Sequence, residues 1–510
     1  MRLISRLFAL IIIILLLGIR PTPTFSAPTA QTLPTNLINL PHGFKITEFA
    51  TGIPQARMMA LGTNGTLFIG TRTNTVYAIP NATSTTQATQ IIPIVTNVNS
   101  SSGVAFRDGS LYVGADGQVL RYDNIEANLN NLPAPVVVNN TIPASHGART
   151  IRFGPDGKLY IKVGAPCNVC EESAGLYSAT IVRMNPNGTN IEIYVRGTRN
   201  AVGYDWHPIT NELWFTNNGR DGLGDEIPPE TLNRATTIGQ NFGFPYCHSG
   251  YIQDPEYGHL FACNQFTPPA QLLPAHAAPL GMRFYTGASF PTDYVNQVFI
   301  AEHGSWNRSS KIGYRISLVR LDGASQAISY ETFADGWLQP GDNVWGRPVD
   351  IQVMPDGAML ISDDYANAIY RVQYICSLAG FGGQIFGEQD LQHQIQTHVD
   401  NRPADWSIQS AFIDLVNCGI VAIITTESGE IGLVKVSIAD GNNGLIQLTV
   451  DKITSLDGTS LMSLAYQSAI KDEFVAIVMQ SLQSLIGDAG NNGFSRVAIT
   501  GQSIELQPKP

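Results

Sequence analysis

Short apolar strands separated by glycine-containing turns recur along the greater part of the chain. Each repeat holds an apolar strand, a turn of the type Gly/Pro-Asp/Asn-Gly, a second apolar strand, a break, and a third strand with an aromatic residue near its end. Alternating apolar and polar positions on both sides of an Asn-Gly or Asp-Gly turn indicate a β-hairpin. The repeats begin at Met58, Gly103, Thr150, Val202, Gly281 and Val349.

Six repeats of this kind predict an all-β fold, a six-bladed β-propeller, which we place at residues 36–376. Each repeat would form one blade, and the blades would surround a central channel. A β-sandwich accounts less well for the sequence because the hairpins are spaced too widely and because the third strand recurs.

The pattern changes after Tyr374, where the propeller repeat stops. Residues 388–400 have helical periodicity, four strand-like stretches follow within 407–453, and a long amphipathic pattern over 459–486 precedes a final strand, SRVAITG. This order predicts a small α+β domain at residues 380–510. The domain weakly resembles lipid-binding domains of the bacterial cell envelope, which would imply an envelope or lipid contact. A packing or docking module explains the same pattern.

The first 27 residues have the organisation of a signal peptide. Arg2 and Arg6 precede an unbroken apolar run over residues 7–18, and small and polar residues follow up to Ala27. The run is short for a transmembrane helix, which needs about 20 apolar residues. We therefore expect an exported protein, secreted or periplasmic. The alternative is a membrane tether formed by the same segment when it is not cleaved.

Composition and charge indicate a globular protein and argue against a nucleic-acid partner. The chain has 510 residues, too many for one typical core, and only 14% of them are charged, which suits a globular protein of at least two domains. The formal net charge is −11, with 41 acidic against 30 basic residues. Nucleic-acid-binding proteins carry a basic surface, so we expect no nucleic-acid partner.

Export would place the six cysteines in an oxidising compartment, where disulfides are stable. Cys247 and Cys263 bracket a polar loop that contains Pro and Gly, and a bridge between them would fix this loop. Cys376 and Cys418 could form another pair, but the sequence alone does not assign it.

The remaining two cysteines form a Cys-Asn-Val-Cys motif at residues 167–170. Glu171 follows, so the motif is not the Cys-X-X-Cys-His of covalent haem attachment, and the sequence contains no such motif elsewhere. No Cys or His residues cluster beside it as a zinc site would require. We expect a local disulfide or a free pair, with a structural rather than a redox role.

Three residues are candidates for chemistry because they occupy matching positions in different repeats. His146, Arg199 and Arg347 stand nine, nine and eight positions before the proline of the hairpin turn in their repeats. The innermost strand of each blade lines the channel, so residues just before that strand should meet at one mouth of it. Two arginines there would bind carboxylates, phosphates or a polyanionic cofactor. A histidine would serve as a general base.

A glycine-rich acidic loop, TNNGRDGLGDE at residues 216–226, lies nearby in the sequence. Its backbone carbonyls and aspartates are the hard oxygen ligands that Ca²⁺ prefers. The alternative interpretation is a solvated loop between two strands.

Several segments in order resemble one family. They are HGARTIRFGPDGKLY, RGTRNAVGYDWHP, WFTNNGRD, NFGFPYCHSG, AEHGSWNRS and GRPVD. Together they resemble the glucose/sorbosone dehydrogenase family, closest to its L-sorbosone and pyranose dehydrogenase branch, over about residues 40–374. These are soluble quinoproteins on six-bladed propellers that use pyrroloquinoline quinone (PQQ) and Ca²⁺. The resemblance implies oxidation of a sugar or a sugar-derived aldehyde by hydride transfer to PQQ. Without a haem motif, the electrons would pass to an external acceptor.

The resemblance also implies roles for particular residues. His146 matches the catalytic histidine that takes the proton of the substrate hydroxyl. Arg199 and Asn200 match the Arg-Asn pair that contacts the quinone, where Arg199 stabilises the developing oxyanion. Gly219 and Arg220 match the residues whose backbone carbonyls hold the calcium ion of the cofactor.

Further matches concern the edge of the cofactor site and the substrate. Arg347 matches an arginine near the carboxylates of PQQ, and Trp306, Asn307 and Arg308 lie where the family supplies further cofactor contacts. The chain departs from the soluble glucose dehydrogenases at Ala165, where those enzymes carry an aspartate. This departure argues against glucose as the substrate.

Two other function classes remain open from the sequence. One is a non-catalytic propeller that binds sugars or proteins through the arginine pair. The other is a Ca²⁺-dependent lactone hydrolase. PQQ binding would separate the oxidoreductase from both alternatives.

Overall fold

The computed structural model confirms the six-bladed β-propeller. It describes residues 33–41, 43–143, 149–171, 176–374, 395–397, 399–401 and 480, together with the backbone of six strands between 408 and 508. The proposed signal peptide, 1–27, lies outside the described residues. Among the helices of the described residues, none is long and apolar enough to cross a membrane.

Four antiparallel strands form each blade. From the channel outward, blade 1 consists of β2 (Ala56–Leu61), β3 (Leu67–Thr71), β4 (Val76–Ile79) and β5 (Ile92–Val95), and blade 2 of β6 (Gly103–Arg107), β7 (Ser110–Ala115), β8 (Gln118–Tyr122) and β9 (Val136–Asn139). Blade 3 consists of β10 (Ile151–Phe153), β11 (Leu159–Val163), β12 (Thr180–Met184) and β13 (Glu192–Arg196), with a short parallel strand, β17 (Gln240–Asn241), at its outer edge.

The other three blades follow the same plan. Blade 4 consists of β14 (Tyr204–Trp206), β15 (Leu213–Asn217), β16 (Glu230–Ala235) and β20 (Gln271–Leu273), and blade 5 of β21 (Pro279–Phe284), β22 (Val298–Glu302), β23 (Arg315–Leu321) and β24 (Ala327–Ala334). Blade 6 consists of β27 (Pro348–Val353), β28 (Met359–Asp363), β29 (Ala368–Tyr374) and β1 (Phe44–Thr51).

Short elements decorate the blades. Two small hairpins pair β18 (Cys247–His248) with β19 (Ile252–Gln253) and β25 (Leu338–Gln339) with β26 (Asn343–Val344). Single turns of 3₁₀ helix occur at Thr35–Leu37, Ala82–Ser84, Ile125–Ala127, Cys263–Gln265 and Thr292–Tyr294.

The N-terminal strand closes the ring of blades. β1 pairs antiparallel with β29, from Phe44 opposite Tyr374 to Thr51 opposite Ala368, so the first and last strands of the propeller share one sheet. The Phe44 ring meets the rings of four other aromatic residues edge-on, among them that of Phe333 of blade 5, with centroids 4.9 Å apart. β1 is therefore the outermost strand of blade 6, where it covers the outer edge of β29 and fastens this blade to blade 5 through Phe44.

The Asp-Gly turns are confirmed as hairpin turns. Gly157 joins β10 to β11 with φ +75°, and Gly357 joins β27 to β28 with φ +81°. Both angles lie in the left-handed region that favours glycine. A Cβ on Gly357 would also lie 2.6 Å from the backbone nitrogen of Ser289 in blade 5. The glycine therefore permits both the turn and the close approach of two blades.

Neighbouring inner strands are joined by side-chain hydrogen bonds. The Asp350 carboxylate on β27 accepts from the Met59 amide of blade 1 at 2.9 Å and from the Arg283 guanidinium of blade 5 at 3.3 Å. The Ser362 hydroxyl donates to the Arg57 carbonyl at 2.7 Å. These contacts hold blades 5, 6 and 1 in register around the channel.

The C-terminal region contains one antiparallel sheet of six strands. Their order is β30-β31-β32-β33-β35-β34, where the strands are β30 (Ile408–Val416), β31 (Gly419–Thr426), β32 (Ile431–Gly441), β33 (Leu445–Ser455), β34 (Phe494–Thr500) and β35 (Ser503–Pro508). Five of them coincide with the predicted strands, and β35 was not predicted. Residues 395–397 and 399–400 are helical, within the segment predicted as a helix. The predicted helix at 459–486 lies outside the described residues, apart from Gln480.

Two disulfides are present among the described cysteines. Cys247 is bridged to Cys263, which confirms the predicted pair. Cys167 is bridged to Cys170, so this motif is a local disulfide rather than a free pair. Cys376 and Cys418 lie outside the described residues.

Candidate functional site

The candidate site lies at the end of the channel where the six inner strands begin, which we call the start face. Because adjacent strands are antiparallel, the second strand of each blade ends at this same face. Residues just before an inner strand and residues just after a second strand are therefore brought together. Hydrogen bonds between different blades confirm this arrangement.

Side chains from three blades meet at the Asp364 carboxylate. The Arg57 guanidinium of blade 1 donates to it at 2.8 Å, and Nε2 of His303, after β22 of blade 5, lies 2.8 Å from its other oxygen. Burial lowers the pKa of His303 to about 4, so the imidazole is neutral near pH 7. Burial would raise the pKa of Asp364, but His303 and Arg57 outweigh it and hold that pKa well below its usual range.

Further cations lie close to Arg57. Lys162 on β11 is 2% exposed, and burial, reinforced by the positive charges of Arg149, Arg57 and Arg72, lowers its pKa to about 7. Arg149 donates to the carbonyls of Ala115 and Pro143 at 2.9 and 2.7 Å. Its Nη1 and the Nε of Arg57 are buried and have no hydrogen-bond partner among the described residues.

Arg347 joins the same group of charges. Its guanidinium donates to the carbonyls of His303 and Gly304, at 3.1 Å in each case. Its positive charge contributes, after burial, to lowering the pKa of both His303 and Arg57. We call Arg57, Arg72, Arg149, Lys162 and Arg347 the cation cluster. The carboxylates of Asp364 and Asp116 offset part of the positive charge of this cluster, beside Arg57 and Arg149 respectively.

Arg199 lies at the start face in blade 4 and is bound by two loops. It donates to the Asn168 carbonyl at 2.9 Å and to the Asn168 side-chain oxygen at 3.0 Å. It also donates to the Gly219 carbonyl at 2.6 Å and to the Asp221 carboxylate at 2.8 Å. All four of these acceptors lie in the two loops and not in the cation cluster. His146, the third residue expected at this mouth, lies outside the described residues.

Hydrogen bonds hold the first residues of the 216–226 loop, whereas Gly222, Gly224 and Glu226 are exposed. The Gly219 amide donates to the Glu230 carboxyl at 2.5 Å, and burial raises the pKa of that carboxyl to about 8. The Arg220 side chain turns away and pairs with Asp254 and, at 2.8 Å, with Glu256. Its carbonyl, not its side chain, was the predicted ligand.

Asn200 and a small pocket lie beside this loop. The Asn200 amide donates to the Asn217 side chain at 3.0 Å, while its own Oδ1 is buried without a partner among the described residues. A small pocket, partly open to solvent, is lined by Arg199, Gly219 and Thr231 among others. Unpartnered oxygen in a polar setting is suited to a ligand with a donor or a cation.

The segment predicted to add cofactor contacts packs against the same loop. Asn307 donates to the Asp221 carboxylate at 2.6 Å, so Asp221 links Asn307 to Arg199. Arg308 donates to the Asp225 carbonyl and, at 2.6 Å, to the Glu226 carboxylate. Trp306 is 75% exposed.

Sequence reasoning missed most of the cation cluster. Arg57, Lys162 and Asp364 were not singled out, because only positions before the inner strand were compared between repeats. The end of the second strand reaches the same face, and comparison of those positions would have found Lys162 and Asp364. The long-range contact between Arg57 and Asp364 has no local signal in the sequence.

Fold and site together define a six-bladed propeller whose channel carries buried cations from several blades at one face. Comparison with known families then assigns the chain: it belongs to the TrAA12-like family, whose sequence profile matches residues 38–374.

A curated relative and two solved structures are similar to this chain. An uncharacterized protein of Borreliella burgdorferi is 35% identical over 357 residues, which cover 67% of this chain and 92% of that protein. The calcium structure of a Trichoderma reesei carbohydrate-active enzyme of family AA12 is 19% identical, with a TM-score of 0.57, over 68% of this chain and 99% of the other. The holo form of the PQQ domain of Coprinopsis cinerea pyranose dehydrogenase is 17% identical, with a TM-score of 0.58, over the same shares. These structural similarities support the fold.

Proposed function

We propose that the protein is a quinoprotein oxidoreductase that oxidises a sugar or a sugar-derived aldehyde with PQQ and Ca²⁺. The observation that carries this proposal is the cation cluster, with two buried guanidinium nitrogens that lack partners among the described residues. The family assignment and the similarity to the holo form of a pyranose dehydrogenase PQQ domain support the same proposal.

The cation cluster fits a planar cofactor with several carboxylates. Buried donors without partners destabilise a protein, and carboxylate oxygens would satisfy them with charge-assisted hydrogen bonds. Arg57, Arg149 and Lys162 would bind one part of such a cofactor, and Arg347 would bind another. A neutral or cationic ligand would leave the positive charges unbalanced in a buried site.

We propose that the calcium ion binds to oxygen atoms of the 216–226 loop and of Asn200. The Gly219 carbonyl, the Asp221 carboxylate and the unpartnered Asn200 oxygen are ligands of the kind Ca²⁺ prefers. No group of three or more His, Cys, Asp or Glu side chains in the described part of the chain could hold a metal ion. The Arg220 carbonyl, the cofactor and water would supply the remaining ligands. Arg199 shares two of these oxygens and would have to adjust when the ion binds.

The proposed chemistry divides between the cofactor and the chain. When bound, PQQ supplies a quinone that accepts a hydride from the carbon of the substrate. His146 would remove the hydroxyl proton, and Arg199 would stabilise negative charge that develops beside it. Asn200 would add a further contact, as would Trp306, Asn307 and Arg308 at the rim.

Substrate, acceptor and location complete the proposal. Ala165 is fully buried against Ala179 and Phe244, so no acidic side chain is present at the position where glucose enzymes carry one. We therefore propose a sorbosone- or pyranose-like substrate rather than glucose, and an external electron acceptor. We also propose export, secreted or periplasmic, by the N-terminal segment.

The test is a titration of the purified apo-protein with PQQ, with and without Ca²⁺, followed by absorbance of the bound quinone. Dye reduction is then measured with aldoses and aldehydes. Arg57→Met removes one cation and should weaken PQQ binding by about tenfold to a hundredfold, the equivalent of one charge-assisted hydrogen bond. Arg121→Met, which removes an arginine paired with Asp123 away from the start face, is the control.

Two results would contradict the proposal. Absence of PQQ binding at any calcium concentration would favour a sugar- or protein-binding propeller. Lactone hydrolysis that needs Ca²⁺ but not PQQ would favour the hydrolase.

A further inference from the structure

The Cys167–Cys170 disulfide closes a tight loop directly against Arg199. The loop lies between β11 and β12, and the Cα atoms of the two cysteines are 6.2 Å apart. Asn168 stands between the cysteines. Sequence analysis gave this motif a structural role only, and nothing in the proposed function uses it.

Asn168 connects the disulfide loop to both Arg199 and the 216–226 loop. Its carbonyl and its side-chain oxygen each accept from Arg199, at 2.9 and 3.0 Å. The same side-chain oxygen accepts from the Asp221 amide at 2.8 Å, and Nδ2 donates to the Asp221 carbonyl at 2.9 Å. Two of the four acceptors of the guanidinium thus belong to one residue.

The geometry requires a fixed backbone at Asn168. An arginine side chain loses much rotamer freedom when it is held, so its acceptors must be preorganised. A carbonyl and a side-chain oxygen of one residue can face the same guanidinium only when the backbone of that residue keeps its orientation. The disulfide supplies this constraint, because it limits the four-residue loop to few conformations.

We propose that Asn168 is a positioning residue for Arg199, and that the Cys167–Cys170 disulfide makes this positioning dependent on redox state. A dithiol would break the S–S bond by thiol–disulfide exchange. Two electrons and two protons pass to the cysteines, which become thiols, and the dithiol is oxidised to its own disulfide. The loop then relaxes, Arg199 loses two acceptors, and the cofactor is bound less tightly. The effect on the cofactor rests on the proposed function, whereas the effect on Arg199 and Asp221 does not.

The test uses substitutions because a reductant would also open Cys247–Cys263. The double variant Cys167→Ser/Cys170→Ser mimics the reduced loop, and Asn168→Ala removes the side-chain contacts alone. Val169→Ala is the control, because Val169 lies in the same loop but packs against Ala165, Ala179 and Phe244. Asn168→Asp keeps a side-chain oxygen as acceptor for Arg199 and should therefore keep most of the affinity for PQQ.

Two readouts separate this proposal from the proposed function. Hydrogen–deuterium exchange in the apo-protein reports the Asp221 amide, which should exchange at least about tenfold faster in the double variant and in Asn168→Ala than in the wild type and Val169→Ala. The dissociation constant for PQQ should rise about tenfold in the same two variants and return toward the wild-type value in Asn168→Asp.

Each outcome has one meaning. Unchanged exchange at Asp221 in the double variant would overturn the positioning role of the disulfide, whatever PQQ does. Faster exchange with unchanged PQQ affinity would overturn the redox dependence of cofactor binding. Faster exchange in a protein that binds no PQQ even as the wild type would overturn the proposed function and leave the positioning role intact.

Discussion

Several charged residues at the start face are deeply buried. Arg57 is 4% exposed and its Nε lacks a partner among the described residues. Lys162 is buried beside three arginines, and its pKa is lowered to about 7. Such groups destabilise the fold, and perturbed pKa values of this kind are typical of functional sites. We therefore expect stability and ligand binding to oppose each other at these positions.

The substitution Lys162→Met tests whether a buried cation that favours ligand binding also lowers the stability of the fold. The pKa of Lys162 lies near 7 in the folded protein and near 10.5 when unfolded. Between these values the unfolded chain binds a proton that the folded chain does not, so the stability of the wild type should rise with pH across this window. Below this pH window Lys162 is charged in the folded protein, and burial of that charge destabilises the fold. Lys162→Met should therefore raise the free energy of unfolding by about 2 kcal/mol near pH 6. It should also remove much of the increase in stability that the wild type shows as the pH rises.

The measurement is urea denaturation at about pH 6 and about pH 9, together with PQQ titration. Lys45→Met, at an exposed position on β1, is the control and should leave the pH dependence unchanged. PQQ affinity should fall in Lys162→Met only. A variant that is less stable than the wild type at both pH values would show that Lys162 supports the fold instead.

At the same scale, the sequence identified part of the site. The register argument singled out Arg199 and Arg347, and both lie at the start face, where Arg347 joins the cation cluster. It gave no sign that Arg199 would be bound by Asn168, because that contact depends on the conformation of a disulfide loop. His146 remains a prediction, as do the cofactor-binding roles of the other residues.

At the scale of secondary-structure elements, the closing strand decides whether the ring is complete. β1 supplies the outer strand of blade 6, and Phe44 at its start contacts aromatic rings of blades 5 and 6. The repeats predicted six blades but not the origin of this strand, since β1 lies before the first repeat and has no hairpin of its own. Only the pairing with β29 reveals it.

Phe44→Ala should therefore lower the free energy of unfolding of the propeller by about 2 kcal/mol. This is less than the effect of the same substitution at a fully buried phenylalanine, because Phe44 is half-buried. Lys45→Ala, one position along the same strand and exposed, should change stability by less than about 0.5 kcal/mol. Both are measured as free energies of unfolding from denaturant curves. Equal effects of the two substitutions would mean that β1 does not depend on the aromatic cluster.

In the C-terminal region, too, the sequence predicted some elements, and the structure alone showed another. Strand patterns predicted five of the six strands, because alternation along a strand is a local signal. β35 was missed, since its short run ends in a proline-containing tail. The domain boundary at 380 and the lipid or envelope contact remain predictions, because the side chains of this sheet lie outside the described residues.

At the scale of the whole molecule, ligand binding and stability should be linked. A ligand that binds only the folded state stabilises it, by about 2.7 kcal/mol at a hundredfold excess over the dissociation constant. PQQ with Ca²⁺ should therefore raise the midpoint of thermal unfolding of the apo-protein. A chelator added to the loaded protein should reverse most of this increase. Scanning calorimetry of the apo-, PQQ-loaded and chelated protein measures both effects.

A rise with PQQ that survives chelation would contradict the calcium part of the proposal while leaving cofactor binding in place. A chain that unfolds at the same temperature with and without PQQ would contradict both parts. The net charge of −11 repels an anion at long range, so stabilisation by PQQ must come from the local cation cluster.

The sequence by itself determined the number of blades, the Asp-Gly turns between their strands and one of the disulfides. These follow from periodicity and turn chemistry, which act over a few residues. Tertiary structure alone decided that β1 closes the ring, that Asp364 joins Arg57 to His303, and that Asn168 holds Arg199. Those contacts join residues far apart in the chain, and their energies come from burial and hydrogen bonding that exist only once the blades have assembled.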